Sequence, residues 1–148
     1  DIPVEKLFQV ADLKSKREVT LSSNEIITSV TIPITEAKNA EIEVRERQSH
    51  DWPLVQASAS VLVDSSGVVQ KANIILGHVG PVPRRAVEAE KFLVGKKLDE
   101  AMAGEAGNKA AEGATPHPTN EYKVQLVRVA VKRALLSSVG NEYWRATS

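Results

Sequence analysis

The chain has no cysteine among its 148 residues. That absence excludes a disulfide, a thiolate nucleophile and thiolate ligation of an iron–sulfur cluster, and it fits a reducing cytoplasm. Aromatic residues make up 4% of the chain, and there is one methionine. No apolar run reaches the ~18 residues that a membrane span needs. The sequence therefore predicts no membrane segment. Nor is there an excess of either charge: Lys plus Arg and Asp plus Glu each number 19. Without a global field, nucleic acid and anionic lipid surfaces are poor partners. The opening Asp1-Ile2-Pro3-Val4-Glu5 has neither the basic nor the apolar region of a secretory signal. With no initiator methionine, it reads as a piece of something longer.

A hydrophobic content of 42% over this length predicts one ordinary domain with a real core. Strand signals fill the first half and helix signals the second, with the change near Pro81-Val82-Pro83. Residues 1–17 read as an extended lead-in or linker, residues 18–140 as the domain and 141–148 as a tail. In the run from Ile26 to Ile34, Val30, Ile32 and Ile34 alternate with Ser29, Thr31 and Pro33, which predicts an edge strand. A second strand is expected over 40–47. Val55 to Val63, the turn residues Asp64-Ser65-Ser66-Gly67, and Val68 to Leu76 predict an antiparallel hairpin.

Helices are expected over 84–94, with a proline near the first turn and Gly95 as the stop, and over 98–111. A long helix follows the Pro116-His117-Pro118 loop, capped by Thr119 or Asn120 and ended by Gly140. Its apolar stripe reads as Tyr122, Leu126, Val129 with Ala130, and Arg133 with Ala134. The fold class predicted is α+β: an antiparallel sheet of three or four strands followed by helices packed on one face.

Few residues carry chemistry. His50, His78 and His117 are scattered through loops with no ligand spacing, so no metal site is expected. Gly77 to Gly80 reads as a turn, and Arg84-Arg85 and Lys96-Lys97 as solvated faces. No catalytic residue is assigned. The richest stretch is Arg47-Gln48-Ser49-His50-Asp51-Trp52-Pro53, a polar aromatic loop between two strands. A cation, an anion and a flat ring within a few residues suit a planar polar ligand. They equally suit a structural turn with a local Arg47–Asp51 pair and Trp52 folded onto the sheet.

The same loop, continued through Leu54-Val55 into Ala57-Ser58-Ala59, resembles the C-terminal domain of the FAD-binding subunit of molybdenum hydroxylases. That is the carbon monoxide dehydrogenase flavoprotein and xanthine dehydrogenase family. Leu76-Gly77-His78-Val79-Gly80-Pro81-Val82-Pro83-Arg84-Arg85-Ala86, with Glu90, Leu93 and Gly95, is similar to that domain's next signature. Tyr122-Lys123 and Arg133-Ala134-Leu135 resemble its closing helix, and His78 stands where a small residue is expected. The likeness covers roughly residues 18 to 136.

The resemblance implies an oxidoreductase in which electrons pass from a molybdenum subunit through iron–sulfur clusters to FAD, and then to NAD or another acceptor. It implies an N-terminal FAD-binding domain and iron–sulfur and molybdenum subunits as partners. The family's glycine-rich phosphate loops have no counterpart here, so the isolated chain is expected to bind FAD poorly and to be inactive. On this resemblance Arg47, Gln48, Ser49, Asp51, Trp52 and, on the last helix, Lys123 are the flavin-side residues, Lys123 being equally well explained as a solvated residue. Asp51 would be an electrostatic partner, Trp52 an apolar wall and Arg47 the cation orienting Asp51. A free-standing, non-catalytic assembly module of the same fold is the alternative, distinguished by whether flavin motifs precede Asp1.

Overall fold

The structure, a computed structural model, describes residues 1–12 and 16–145. Of the expected lead-in and tail, residues 13–15 and 146–148 lie outside that description. Four strands form one antiparallel sheet in chain order: β1 (Lys38–Val44), β2 (Val55–Val63), β3 (Val69–Gly77) and the two-residue β4 (Arg84–Arg85). Three helices follow, α1 (Val87–Leu93), α2 (Glu100–Ala111) and α3 (Tyr122–Ser138). The α+β architecture expected from the sequence is what the chain adopts.

The β2–β3 hairpin forms where its β-branched runs and turn residues place it. Asp64 Oδ1 accepts hydrogen bonds from the main-chain N–H groups of Ser66 and Val68 and from the Ser66 hydroxyl. Gly67 supplies the left-handed residue at φ 82°. Alternation, broken once where the register shifts between Leu62 and Val63, then decides the faces. Val55, Ala57, Ala59 and Val61 of β2, with Val69, Ala72, Ile74 and Leu76 of β3, are buried under the helices. Ala57 and Ala59 of β2 are small, which lets α3 lie close across β1 and β2. Polar Glu41 and Asn73 lie on the other side with Ser58 and Ser60, in shallow depressions of the uncovered face.

Helix packing follows from small residues as well. A Cβ added to Gly107 of α2 would lie 2.4 Å from the carbonyl oxygen of Arg128 on α3, so a glycine is required at this crossing. Asp99 caps α2 by accepting the Met102 N–H at 2.9 Å. Gly95 at φ 79° and Gly140 at φ 83° end α1 and α3 as expected. Past Gly140 the chain turns back. The Trp144 ring meets Tyr143 edge-on at 5.2 Å, Arg133 lies over it at 5.6 Å, and it packs against the core.

Four expectations are corrected. No strand forms over 26–34; the stretch has no ladder, and Ile26, Val30, Ile32 and Ile34 are 75% exposed or more. The alternation is real, but nothing within the described residues covers its apolar face. The first α-helix begins at Val87 and not at Arg84, because Arg84 and Arg85 pair with Leu76 and Ile75 as β4. Pro83 therefore precedes a strand. The buried stripe of α3 includes Ala130 and Ala134 as expected but otherwise runs through Val127, Val131, Leu135, Leu136 and Ser138, while Tyr122 is exposed. Finally, neither Thr119 nor Asn120 caps α3, whose N-cap is Glu121 without a side-chain bond. His117 instead accepts the Thr119 N–H and caps the 3-10 turn Pro118–Asn120.

In the lead-in, a 3-10 turn at Val4–Lys6 leads to Phe8, which bridges antiparallel to Val19. Gln9 N–H donates to Glu18 O and Thr20 N–H to Leu7 O. Residues either side of 13–15 thus pair with each other.

Candidate functional site

Antiparallel pairing of β2 with β3 opposes Gln56 to Gly77. The loop entering β2 and the loop leaving β3 therefore share one end of the sheet. There Glu43, Arg45, His50, Asp51, Trp52, Pro53 and His78 line an open cleft. Leu54 N–H bonds back to Val44 O at 2.7 Å, which closes the base of the β1–β2 loop.

Asp51 is half-buried, and its Oδ2 accepts the main-chain N–H of Arg47 at 3.0 Å. The expected link between Arg47 and Asp51 is thus present through the Arg47 main chain. The main chain holds the carboxylate, and the Arg47 side chain lies in the exposed part of the loop. Trp52 is 82% exposed, so the alternative in which its ring folds onto the sheet does not hold. The indole faces the imidazole of His78 at 6.1 Å between centroids with the planes tilted by 55°, an ordinary aromatic-pair geometry. The Glu43 carboxylate is taken by Arg45 across the cleft rim.

Two backbone features mark this end of the sheet. His50 and His78, at φ 53° and 60°, are the non-glycine residues with positive φ among those described, and both line the cleft. Such conformations cost free energy for a residue with a Cβ and persist where surroundings enforce them. At His78 one such constraint is visible: Lys123 Nζ, from α3, donates to its carbonyl oxygen at 3.2 Å.

The expected site residues thus divide. Asp51 and Trp52 meet in the cleft. Arg47 and Gln48 line an adjoining shallow depression that shares Glu43 and Arg45 with the cleft. Ser49 is exposed at the loop tip. Lys123 sits behind, in a neighbouring cleft with Arg84, His117 and Asn120, and reaches the site through the His78 carbonyl. His78 itself was not expected; the signal that could have found it is the hairpin register, which brings residues 52 and 78 to one end. Among the described residues no cluster of three or more His, Cys, Asp or Glu could hold a metal ion, and no helix is long and apolar enough to cross a membrane.

The chain is 27% identical over 120 residues to the 6-hydroxypseudooxynicotine dehydrogenase complex subunit alpha of Paenarthrobacter nicotinovorans, a match covering 78% of this chain and 40% of that protein. It is 30% identical over 95 residues to xanthine dehydrogenase 2 of Arabidopsis thaliana, covering 61% of this chain and 7% of that one. Among solved structures, quinoline 2-oxidoreductase from Pseudomonas putida 86 superposes with a TM-score of 0.65 at 30% identity, over 72% of this chain and 38% of the matched chain. The chain spans well under half the length of these relatives. Residues 40–138, from the middle of β1 to the last residue of α3, match the family described as CO dehydrogenase flavoprotein C-terminal domain, and the chain belongs to that family.

Proposed function

We propose that this chain is the C-terminal domain of an FAD-binding subunit of a molybdenum-hydroxylase-type oxidoreductase, in which it covers one side of the flavin ring and shapes the approach of the electron acceptor. The observation that carries this reading is the Asp51–Trp52 loop, tied at its base and offering a nearly bare indole beside a main-chain-held carboxylate. When bound, the flavin supplies two-electron redox chemistry that no side chain of this chain can supply.

The residues present fit the ring end of such a group and not its phosphate end. Trp52 offers a flat apolar wall, and Asp51 a fixed charge or hydrogen-bond acceptor. A pyrophosphate seeks free N–H groups at a helix N-terminus. Each helix here already has carboxylates there: Glu88 and Glu90 in the first turn of α1, Asp99 and Glu100 on α2, and Glu121 ahead of α3. On this reading the phosphate cradle belongs to an N-terminal FAD-binding domain, with iron–sulfur and molybdenum subunits as the electron donors beyond it. The uncovered apolar residues of 26–34 support a partner packed against that stretch.

In this role Asp51 sets the potential beside the ring and Trp52 screens it from water. Gln48, Ser49 and Arg47 form the polar lip, and Lys123 braces the facing loop. The isolated chain is inactive because it is one wall of a site. Titrating it with FAD while following flavin fluorescence tests this. Binding weaker than about 1 μM is expected, whereas binding at or below that level, about −8 kcal/mol, would sink the incomplete-site argument.

A further inference from the structure

We propose that His78 is a positioning residue of this site, one that holds Trp52 in place and so sets the opening through which an electron acceptor reaches the flavin ring. The inference rests on the reading of the Asp51–Trp52 loop as the acceptor-side wall. Three observations carry it. The His78 imidazole is the ring that Trp52 faces, at 6.1 Å, while the indole has little else around it at 82% exposure. Its backbone sits at φ 60°, where a glycine would be unstrained. The third observation is that α3 enforces the arrangement, through Lys123 Nζ on the His78 carbonyl at 3.2 Å.

A side chain kept in a conformation that disfavours it, clamped from another element, and set against an otherwise bare aromatic ring has a positional task. Here that task is to fix the indole. Without the imidazole, Trp52 would swing about its exposed loop and the opening would widen. Lys123 acts one step further back, by holding the carbonyl of the residue that holds the ring.

The experiment uses a Trp144→Phe background, so that Trp52 is the sole indole reporter. His78→Gly is expected to add a fast, local component to the time-resolved fluorescence anisotropy of Trp52, with melting unchanged or raised because glycine suits the backbone. Lys123→Met should move the anisotropy in the same direction, and His78→Tyr, which restores a ring, should return it to the parent's. If His78→Gly leaves the anisotropy as in the parent, the imidazole does not hold Trp52 and this inference is wrong, with the proposed function untouched. In the assembled flavoprotein, His78→Gly should raise the acceptor KM several-fold with the rate of flavin reduction by the internal donor unchanged. An acceptor KM that responds to Trp52→Ala but not to His78→Gly overturns this inference alone. A KM that responds to neither overturns the acceptor-wall reading itself.

Discussion

The carboxylate of Glu90 accepts the main-chain N–H of Ile74 at 2.8 Å, in the core between β3 and α1. Beyond Arg85 the edge strand has become the approach to α1, and Ala86 N–H still reaches Ile74 O at 2.9 Å. The N–H of Ile74 would be left without a strand partner, and a side chain from the helix takes that place. Arg85 then neutralises the carboxylate, with Nη2 at 2.8 Å from Oε2 and Nε at 2.9 Å from both oxygens. Arg85 is more than half exposed while Glu90 is almost fully buried. Removing the acid therefore orphans a buried donor, whereas removing the base leaves a buried charge. Glu90→Ala is expected to cost about 3 kcal/mol. Urea unfolding checks it, and a loss below about 0.5 kcal/mol would mean that water takes over the Ile74 N–H.

Gly104 and Gly107 lie one turn apart on α2 and should respond to alanine with opposite signs. A Cβ at Gly107 meets the Arg128 carbonyl oxygen at 2.4 Å, a main-chain atom that cannot swing away. Gly107→Ala should therefore destabilise by at least about 2 kcal/mol. Nothing lies within 4 Å of a Cβ at Gly104, so Gly104→Ala should stabilise by up to about 1 kcal/mol through helix propensity alone. Equal effects in thermal melts would show that α2 and α3 do not cross as described.

Asp51→Ala and Trp52→Ala should leave melting close to the parent. The indole is 82% exposed and the carboxylate holds one loop N–H, so each change is worth about 0.5 to 1 kcal/mol. In the complete flavoprotein, the proposed placement of Asp51 beside the ring means that its loss should raise the flavin potential, because an anion disfavours the reduced, anionic flavin. A reductive titration against a dye of known potential measures it, and an unchanged potential would place Asp51 away from the ring.

The acid limb of stability should be shallow and spread over surface carboxylates. Hydrogen bonds from Ser66 and from the Val68 N–H hold Asp64 below its ordinary value. A hydrogen bond from Lys132, then one with Tyr143, do the same for Glu100. A carboxylate depressed in the folded state adds stability above its unfolded value and loses it as pH falls through the folded one. Stability should thus decline below the ordinary carboxylate range, and Asp64→Asn with Glu100→Gln should flatten that decline. A double variant with an unaltered acid slope would place the proton uptake on other groups.

Residues 26–34 should behave as a surface that no described residue covers and, on the proposed function, as an interface in the full subunit. Ile32, at 80% exposure, can become Lys with melting changed by about 0.5 kcal/mol or less. The same substitution should weaken association with a separately produced flavin domain, measured by calorimetry. Unimpaired association would remove this stretch from the interface.

What could be read in advance depended on whether a residue's pattern answers to neighbours in sequence or to distant ones. The β2–β3 hairpin was legible because Asp64 and Gly67 satisfy the turn locally. The run 26–34 was legible as amphipathic but not as unpaired, since alternation reports that one face is apolar and not what covers it. Arg84 and Arg85 read as helix because the Ile75 and Leu76 ladder that claims them lies elsewhere in the chain. On α3 the stripe slipped because Leu126 and Val129 compete with Val127 and Val131, and only the crossing with α2 and the sheet decides between them. At the site, Asp51 and Trp52 stood out by residue type. The main-chain character of the Arg47 contact and the meeting of Trp52 with His78 are products of tertiary geometry.

Strand order in the sheet repeats the order of the chain, and this bears on how the protein assembles. Each strand pairs with its sequence neighbour, so the meander needs only short loop closures and can form early and fast. The contacts of α3 with β1 and β2 span a much longer stretch of chain, and they wait for a segment synthesised well after the strands. Until Tyr122–Ser138 arrives, a completed sheet would present Val55, Ala57, Ala59 and Val61 to water. The interval between hairpin formation and α3 docking is thus the window in which the nascent domain is open to misassociation.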